Sequence, residues 1–366
     1  MPSLRWPPGD APHSGTDDKI AMSETESPAT SPRQRIAAVT GAGGFIGSHL
    51  VEDLLAAGYR VRALVHYNAA ATRGHLEEVV AGLAAEARQR LEIVAGDVCD
   101  ARCVRDLVRG ADAVFHLAAL IGIPYSYAAP QSYVNTNIVG TLNVLEGCRD
   151  AGVPRLLHTS TSEVYGSALT TPMDETHPLQ AQSPYSASKI AADKLAESYF
   201  LSFATPVTIV RPFNTFGPRQ SLRAVIPTII AQALSKDVPA IRLGSLDPVR
   251  DLTYVHDTAR AFRMIAEAPA EKVIGVTYNL GVGRGISVGS LAQVILDVLD
   301  VKKPIEADDS RARPAASEVR LLVSDNRRIK REIGWKPETN LHDGIKATAK
   351  WMEPRLATIR VSEYAR

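Results

Sequence analysis

From residue 36 onward, apolar and polar positions switch regularly between two periods. Short apolar runs at 36–40, 61–65, 91–94, 113–117, 155–159 and 206–211 are too brief for helices. They also lack a polar alternate face, as strands covered on both sides must. Helical stretches lie between them: from a glycine-rich loop to Ala57, a polar one over roughly 71–90, then 100–109, 131–150 and about 184–204. Strands alternating with helices at this spacing predict an α/β fold, a doubly wound parallel sheet with helices on both faces. Binding then falls at the carboxyl ends of the strands.

After Arg211 the texture changes. Pro212, Pro218, Pro227, Pro239 and Pro248 interrupt short segments. The expected organisation is a disordered tail over 1–34, rich in Pro, Ser, Thr and Asp, and a sheet domain over 35–211 with a return segment at 251–266. A smaller C-terminal α/β substrate lobe follows over 212–250 and 267–350, then a C-terminal tail over 351–366. With 366 residues there is ample chain for such a core.

Charge narrows the partners. Lys+Arg 41 against Asp+Glu 40 leaves no excess to hold nucleic acid or an anionic membrane. Apolar runs stay below membrane-spanning length, and no signal-peptide core opens the chain. The cysteines Cys99, Cys103 and Cys148 form no CxxC pair, so no metal site is expected, and a reducing cytoplasm is the simple setting.

Chemistry enters at the end of the first strand. Gly41, Gly44 and Gly47 follow it and open a helix, with Phe45 and Ile46 between the last two. Gly41 suits a tight turn, Gly44 the close approach of a pyrophosphate, and Gly47 close packing of helix on sheet. The helix N-terminus adds amides for the phosphates. This is the dinucleotide-binding pattern of a Rossmann sheet. The second strand ends in His66-Tyr67-Asn68, where an acidic residue would hold the ribose of NAD. His66 and Asn68 either contact that ribose or sit in an exposed loop; NAD is expected, with NADP open. Asp97-Val98 either meets the adenine or caps the helix that starts near Cys99. Leu117, Ala118 and Ala119 make a small-residue strand tip beside a flat ring.

Tyr185 and Lys189 share one helix face, four residues apart. An ammonium beside a phenol favours phenolate, so Tyr185 is expected to exchange a proton near neutral pH. The hydroxyl of Thr161 completes a set able to oxidise an alcohol beside a nicotinamide.

The motifs TGAGGFIGSHL (40–50), GDVCD (96–100), HLAA (116–119), STSEVYG (160–166), YSASK (185–189), RPFNTFGPRQ (211–220), RDLTYVHD (250–257) and IGWKP (333–337) resemble, in order, those of the extended short-chain dehydrogenases/reductases acting on nucleotide sugars. Within that family the chain is most similar to 4,6-dehydratases of nucleotide-linked N-acetylglucosamine. The resemblance implies Tyr185 as base, Lys189 as its tuner and ribose anchor, Thr161 as partner of the sugar O4, and Glu163 as the group removing the C5 proton. It implies Asn214, Arg250 and Arg320 as holders of the UDP or GDP diphosphate and base, and a homodimer. Ser162 departs from the pattern: many 4,6-dehydratases carry an aspartic acid there to protonate the leaving hydroxyl. Uronate decarboxylases share the Thr-Ser-Glu triplet, so decarboxylation stands as an alternative, followed by 4-epimerisation and, more distantly, a non-catalytic sensor of the dinucleotide.

Overall fold

A computed structural model describes residues 34–308, 311 and 314–358. Residues 1–33 of the expected N-terminal tail, 309–310 and 312–313 of the expected substrate lobe, and 359–366 of the expected C-terminal tail lie outside the described residues. In chain order the strands are β1 (Ile36–Thr40), β2 (Arg60–His66), β3 (Leu91–Gly96), β4 (Ala113–His116), β5 (Leu156–Thr159), β6 (Val207–Pro212), β7 (Asn214–Phe216), β8 (Ile241–Leu243), β9 (Val249–Tyr254), β10 (Thr277–Leu280), β11 (Gly285–Ser287), β12 (Ile305–Ala307) and β13 (Leu321–Leu322).

Seven of these form a parallel sheet in the order β10-β6-β5-β4-β1-β2-β3. Strand order reverses between β1 and β4, and a crevice opens there at the carboxyl ends. Ala37, Ala38 and Val39 of β1 are fully buried because both faces are covered. On one face, the helices Phe45–Ala56 and Val255–Glu267 bring Leu50, Leu54, Phe262 and Ile265 onto Val39, Val61 and Phe115. On the other, Ala101–Val108, Gly140–Asp150 and Pro184–Phe203 pack Val104, Leu107, Val144 and Ala196 against Val114 and Leu156.

A second, smaller core gathers Phe216, Ile226, Ile230, Leu291 and Ile295 beneath the sheet β11-β9-β13, with β7 paired to β9 and β12 to β8. Segment 251–266 comes back to the large sheet as the helix Val255–Glu267 on its face, not as a strand within it. The strand that rejoins the sheet is β10, paired with β6.

Three expected elements differ. The stretch 71–90 is two short helices, Leu76–Gly82 and Ala85–Gln89, because Leu83 and Ala84 between them are extended. The stretch 131–150 is broken: Pro130–Tyr133 runs into a π-helical segment, Val134–Val139, before Gly140–Asp150. Asn137 explains the break. Its side-chain amide donates to Leu120 O (3.0 Å) and Ser188 Oγ (2.9 Å), and Leu120 N donates back to its Oδ1 (2.8 Å), so the turn widens to deliver that side chain. Residues 351–358, expected within the C-terminal tail, finish the helix Leu341–Met352 and form a 3-10 turn. Trp351 Nε1 donates to Glu78 (3.0 Å), and Arg355 pairs with the same carboxylate.

Candidate active site

A cavity of about 780 Å³ lies along the carboxyl edge of the large sheet and runs beneath the second core. Its floor is the glycine loop. Gly41 has φ +68°, and a Cβ there would stand 2.7 Å from Ala118 N; one on Gly47 would stand 2.2 Å from Gly41 O. The helix Phe45–Ala56 therefore starts tight against the sheet, with Gly44 as its N-cap, no side chain capping it and no acid in its first turn. Those first amides face the cavity floor, the arrangement an anionic pyrophosphate requires. Gly41, Gly44, Phe45, Ile46, Gly47, His66, Asn68, Leu117, Ala118 and Ala119 all line the cavity.

Asp97 and Val98 do not. Val98 is buried against Gly140, where an added Cβ would meet its Cγ2 at 2.8 Å. Asp97 accepts from Cys99 N (2.9 Å), and its other oxygen lies 3.9 Å from His66 Nδ1. The helix N-cap is Asp100, which accepts from Arg102 N at 2.8 Å.

The tyrosine helix is set by its start. Ser183 accepts from Ser186 N (3.1 Å), Ser186 Oγ accepts from Ser183 N (3.0 Å), and Pro184 fills the first turn. Tyr185 and Lys189 thus project together into the cavity, 7% and 2% exposed. Lys189 Nζ donates to Thr159 O at 2.6 Å, at the tip of β5. Burial holds its ammonium down at about 8, against an upward pull from Asp193 one turn on. Burial likewise pushes the Tyr185 phenol above its usual range. A hydrogen bond with Thr161 works against that shift, and the charge of Glu163 adds to it. Burial and the Thr161 hydrogen bond thus pull the phenol in opposite directions, burial being the larger, and the lysine one turn on is engaged by a backbone carbonyl.

Glu163 N donates to Thr161 Oγ1 at 3.2 Å, and both residues line the cavity. Ser162 does not line it; it is 3% exposed, in the short 3-10 turn Ser162–Tyr165.

In the second core, Asn214 and Arg250 line the cavity. Asn214 Oδ1 is buried with no hydrogen-bond partner among the described residues, as an atom reserved for a ligand would be. Arg250 Nη2 lies 3.0 Å from Glu318 Oε1. Arg320 is exposed and lies off the cavity, its carbonyl taken by Val249 N (2.8 Å).

A sequence model of the GDP-mannose 4,6-dehydratase family matches residues 38–348. The chain belongs to that family. A dTDP-glucose 4,6-dehydratase of Xanthomonas campestris pv. campestris is 33% identical over 331 residues, 86% of this chain and 92% of its own. The solved structure of DesIV, a dTDP-glucose 4,6-dehydratase from Streptomyces venezuelae with NAD bound, superposes with a TM-score of 0.77 at 32% identity, over 90% of this chain and all of that one. A UDP-N-acetylglucosamine 4-epimerase from Methanobrevibacter ruminantium gives 0.78 at 28%, over 88% and 99%. The reading as an extended short-chain dehydrogenase/reductase of the nucleotide-sugar epimerase/dehydratase kind holds.

This family member also brings residues to the cavity that sequence reasoning passed over. Arg223, Arg242 and Arg311 line it, as does the loop through Arg73, whose neighbour His75 donates from its backbone N to Gly43 O (2.9 Å). Arg311 follows β12 and Arg320 precedes β13, an order that shows only once those strands are placed.

Proposed function

We propose that this chain is an NAD-dependent nucleotide-sugar 4,6-dehydratase that forms a 4-keto-6-deoxy sugar from UDP- or GDP-linked N-acetylglucosamine. The observation that carries the reading is the joint placement of Tyr185, Thr161, Glu163 and Lys189 on one cavity, with Lys189 one turn beyond Tyr185 on the same helix. The glycine cradle fits a dinucleotide, and Gly41, Gly44, Phe45, Ile46 and Gly47 would hold its pyrophosphate while Lys189 anchors the ribose. A nicotinamide held there would supply reversible hydride storage, between sugar C4 and C6.

The residues supply the rest. Thr161 orients O4, and Tyr185 takes the O4 proton as the ketone forms. Glu163 then removes the C5 proton, which the adjacent ketone has made acidic. The C6 hydroxyl needs a proton to leave as water. Ser162 is buried off the cavity, and among the described residues the lining carboxylates are Glu163 and Glu318, the latter bonded to Arg250. Glu163 therefore delivers to the C6 oxygen the proton it took from C5, and the water leaves. The proton that C5 regains comes from solvent. Asn214 and Arg250, with Arg311 in place of Arg320, hold the diphosphate and base.

The apolar Val134, Val139, Leu201 and Phe203, 39–73% exposed on two neighbouring helices, support a homodimer. Among the described residues no helix is long and apolar enough to cross a membrane. The three cysteines are free thiols, which suits the cytoplasm.

Incubation with UDP-, GDP- and dTDP-linked glucose, N-acetylglucosamine and glucuronate, followed by mass spectrometry, tests the reading. Loss of one water supports it. An isomer of unchanged mass means a 4-epimerase, the second reading, which the buried Ser162 favours because epimerisation needs no acid at C6. Loss of carbon dioxide means a decarboxylase.

A further inference from the structure

Arg219 is one of the few non-glycine residues in a left-handed backbone, with φ +68°. That conformation is unfavourable for an arginine and needs something to hold it. Its guanidinium forks onto one carboxylate: Nη1 to Glu52 Oε2 at 2.6 Å and Nη2 to Glu52 Oε1 at 2.9 Å. Nη1 also reaches Ser48 Oγ at 3.4 Å, and Nε lies 3.7 Å from Glu78 Oε2. The arginine side chain is only 11% exposed. Beside it, His49 Nε2 donates to Pro218 O at 3.0 Å. Every one of these partners sits on the dinucleotide side of the molecule. Ser48, His49 and Glu52 belong to the helix whose N-terminus faces the cavity floor, and Glu78 to the helix Leu76–Gly82.

The residues after Arg219 face the opposite wall. Gln220, Ser221 and Arg223 line the cavity, and Gln220 Nε2 donates to Thr215 O at 2.8 Å. Arg223 Nη1 would lie 3.7 Å from a Cβ placed on Gly122, above the tyrosine pocket. The chain thus crosses from one wall to the other through one strained residue, and that residue is bolted to the cofactor helix.

We propose that the Glu52–Arg219 pair is a positioning element that sets how tightly the nucleotide sugar is held, by fixing Gln220, Ser221 and Arg223 against the bound sugar without touching it. This rests on the nucleotide-sugar reading of the cavity. A planar fork gripping a carboxylate at two points fixes orientation as well as distance, which a lysine does not. Once the fork is lost, the left-handed residue relaxes and the wall behind it moves.

Glu52→Gln keeps the shape of the side chain and removes its charge. Arg219→Lys keeps a charge and removes the fork, and Arg219→Gly suits the backbone and removes both. All three are expected to raise the KM for the nucleotide sugar roughly tenfold, with kcat within about threefold of wild type. The NAD dissociation constant, read by fluorescence titration, is expected to stay unchanged. A merely structural pair would lower the melting temperature and leave KM alone. Wild-type KM in Arg219→Gly and Arg219→Lys, or a loss confined to kcat, overturns the inference. Failure of the wild type to turn over any nucleotide sugar overturns the reading beneath it instead.

Discussion

Lys189→Met separates what the lysine does for chemistry from what it costs the fold. The ammonium is fully buried, and burial brings it from 10.5 down to about 8. That displacement corresponds to roughly 3 kcal/mol by which the folded state disfavours the charge at neutral pH. Methionine fills similar volume without the charge. It also abandons Thr159 O, now bonded at 2.6 Å, and an unpaired buried carbonyl costs about 1–3 kcal/mol. The two nearly cancel, so Lys189→Met is expected to be as stable as wild type at pH 7, or up to ~2 kcal/mol more stable, while turnover falls by about 10²–10⁴.

The pH dependence makes the argument sharper. Lysine ionises near 10.4 in the unfolded chain. Between about 8 and that value the unfolded chain binds the proton that the folded protein has released, so wild-type stability rises with pH across this window. Lys189→Met has no such group, and its curve is expected to run flatter there. Urea unfolding followed by the fluorescence of buried Trp335 measures both proteins at pH 7 and at about pH 9.5. By about pH 9.5 the wild type should have gained roughly 2 kcal/mol relative to the variant. Parallel curves would refute the reasoning, because they would mean the ammonium feels no burial cost.

Three further outcomes follow from the geometry. Gly47→Ala places a methyl 2.2 Å from Gly41 O and is expected to weaken NAD binding at least tenfold, measured by fluorescence titration; wild-type affinity would show that the loop does not need the close approach. Ser162→Ala is expected to leave kcat within about threefold because its hydroxyl does not line the cavity, and a hundredfold loss in steady-state assays would return Ser162 to the catalytic set. For Glu52, burial raises the carboxyl, but hydrogen bonds and charge from His49 and Arg219 outweigh it and hold it at about 2. Its contribution to stability is therefore complete above the ordinary glutamate range and lost as pH falls toward 2, so Glu52→Gln should flatten acid unfolding in that interval; identical acid limbs by circular dichroism would contradict the pairing.

Local rules carried much of the fold. A buried strand, three glycines and a helix start are contiguous, and Tyr185 and Lys189 meet through helix geometry alone, so neighbours in sequence decide both. What escaped depends on contacts between distant residues. The π-helical widening at Asn137 answers to Leu120 and Ser188. The loop around Gly74 is shaped by Gly43, whose carbonyl would stand 2.4 Å from an added Cβ. Trp351 and Arg355 extend the ordered C-terminal segment because Glu78, far back in the chain, accepts from them. The upward pull of burial on the Tyr185 phenol escaped for a different reason. The sequence shows a cation one turn away, but not that it donates to Thr159 O, nor how deeply the phenol is buried.

A buried lysine needs a counter-charge, and the structure shows where this one comes from. Asp193 sits one turn beyond Lys189, 1% exposed, and accepts from Ser160 Oγ (2.8 Å) and Arg211 Nε (3.1 Å), with His158 Nε2 at 3.2 Å. Arg211 in turn donates from Nη1 to Tyr165 OH at 3.0 Å. Burial first, then neighbouring positive charge, pulls His116 and His158 below the ordinary imidazole value, while Asp193 pulls His158 the other way. Around the ammonium the fold thus arranges one carboxylate, already shared with a guanidinium, and two imidazole rings whose charged form burial disfavours. Such a carboxylate supports Lys189 without being able to draw its proton away, since its lone pairs are occupied by three other donors. The lysine stays charged but poorly solvated, close to the pH at which it would let go of its proton. A group in that condition stabilises the phenolate form of Tyr185 one turn away, which is why the charge belongs in this cavity and not in water.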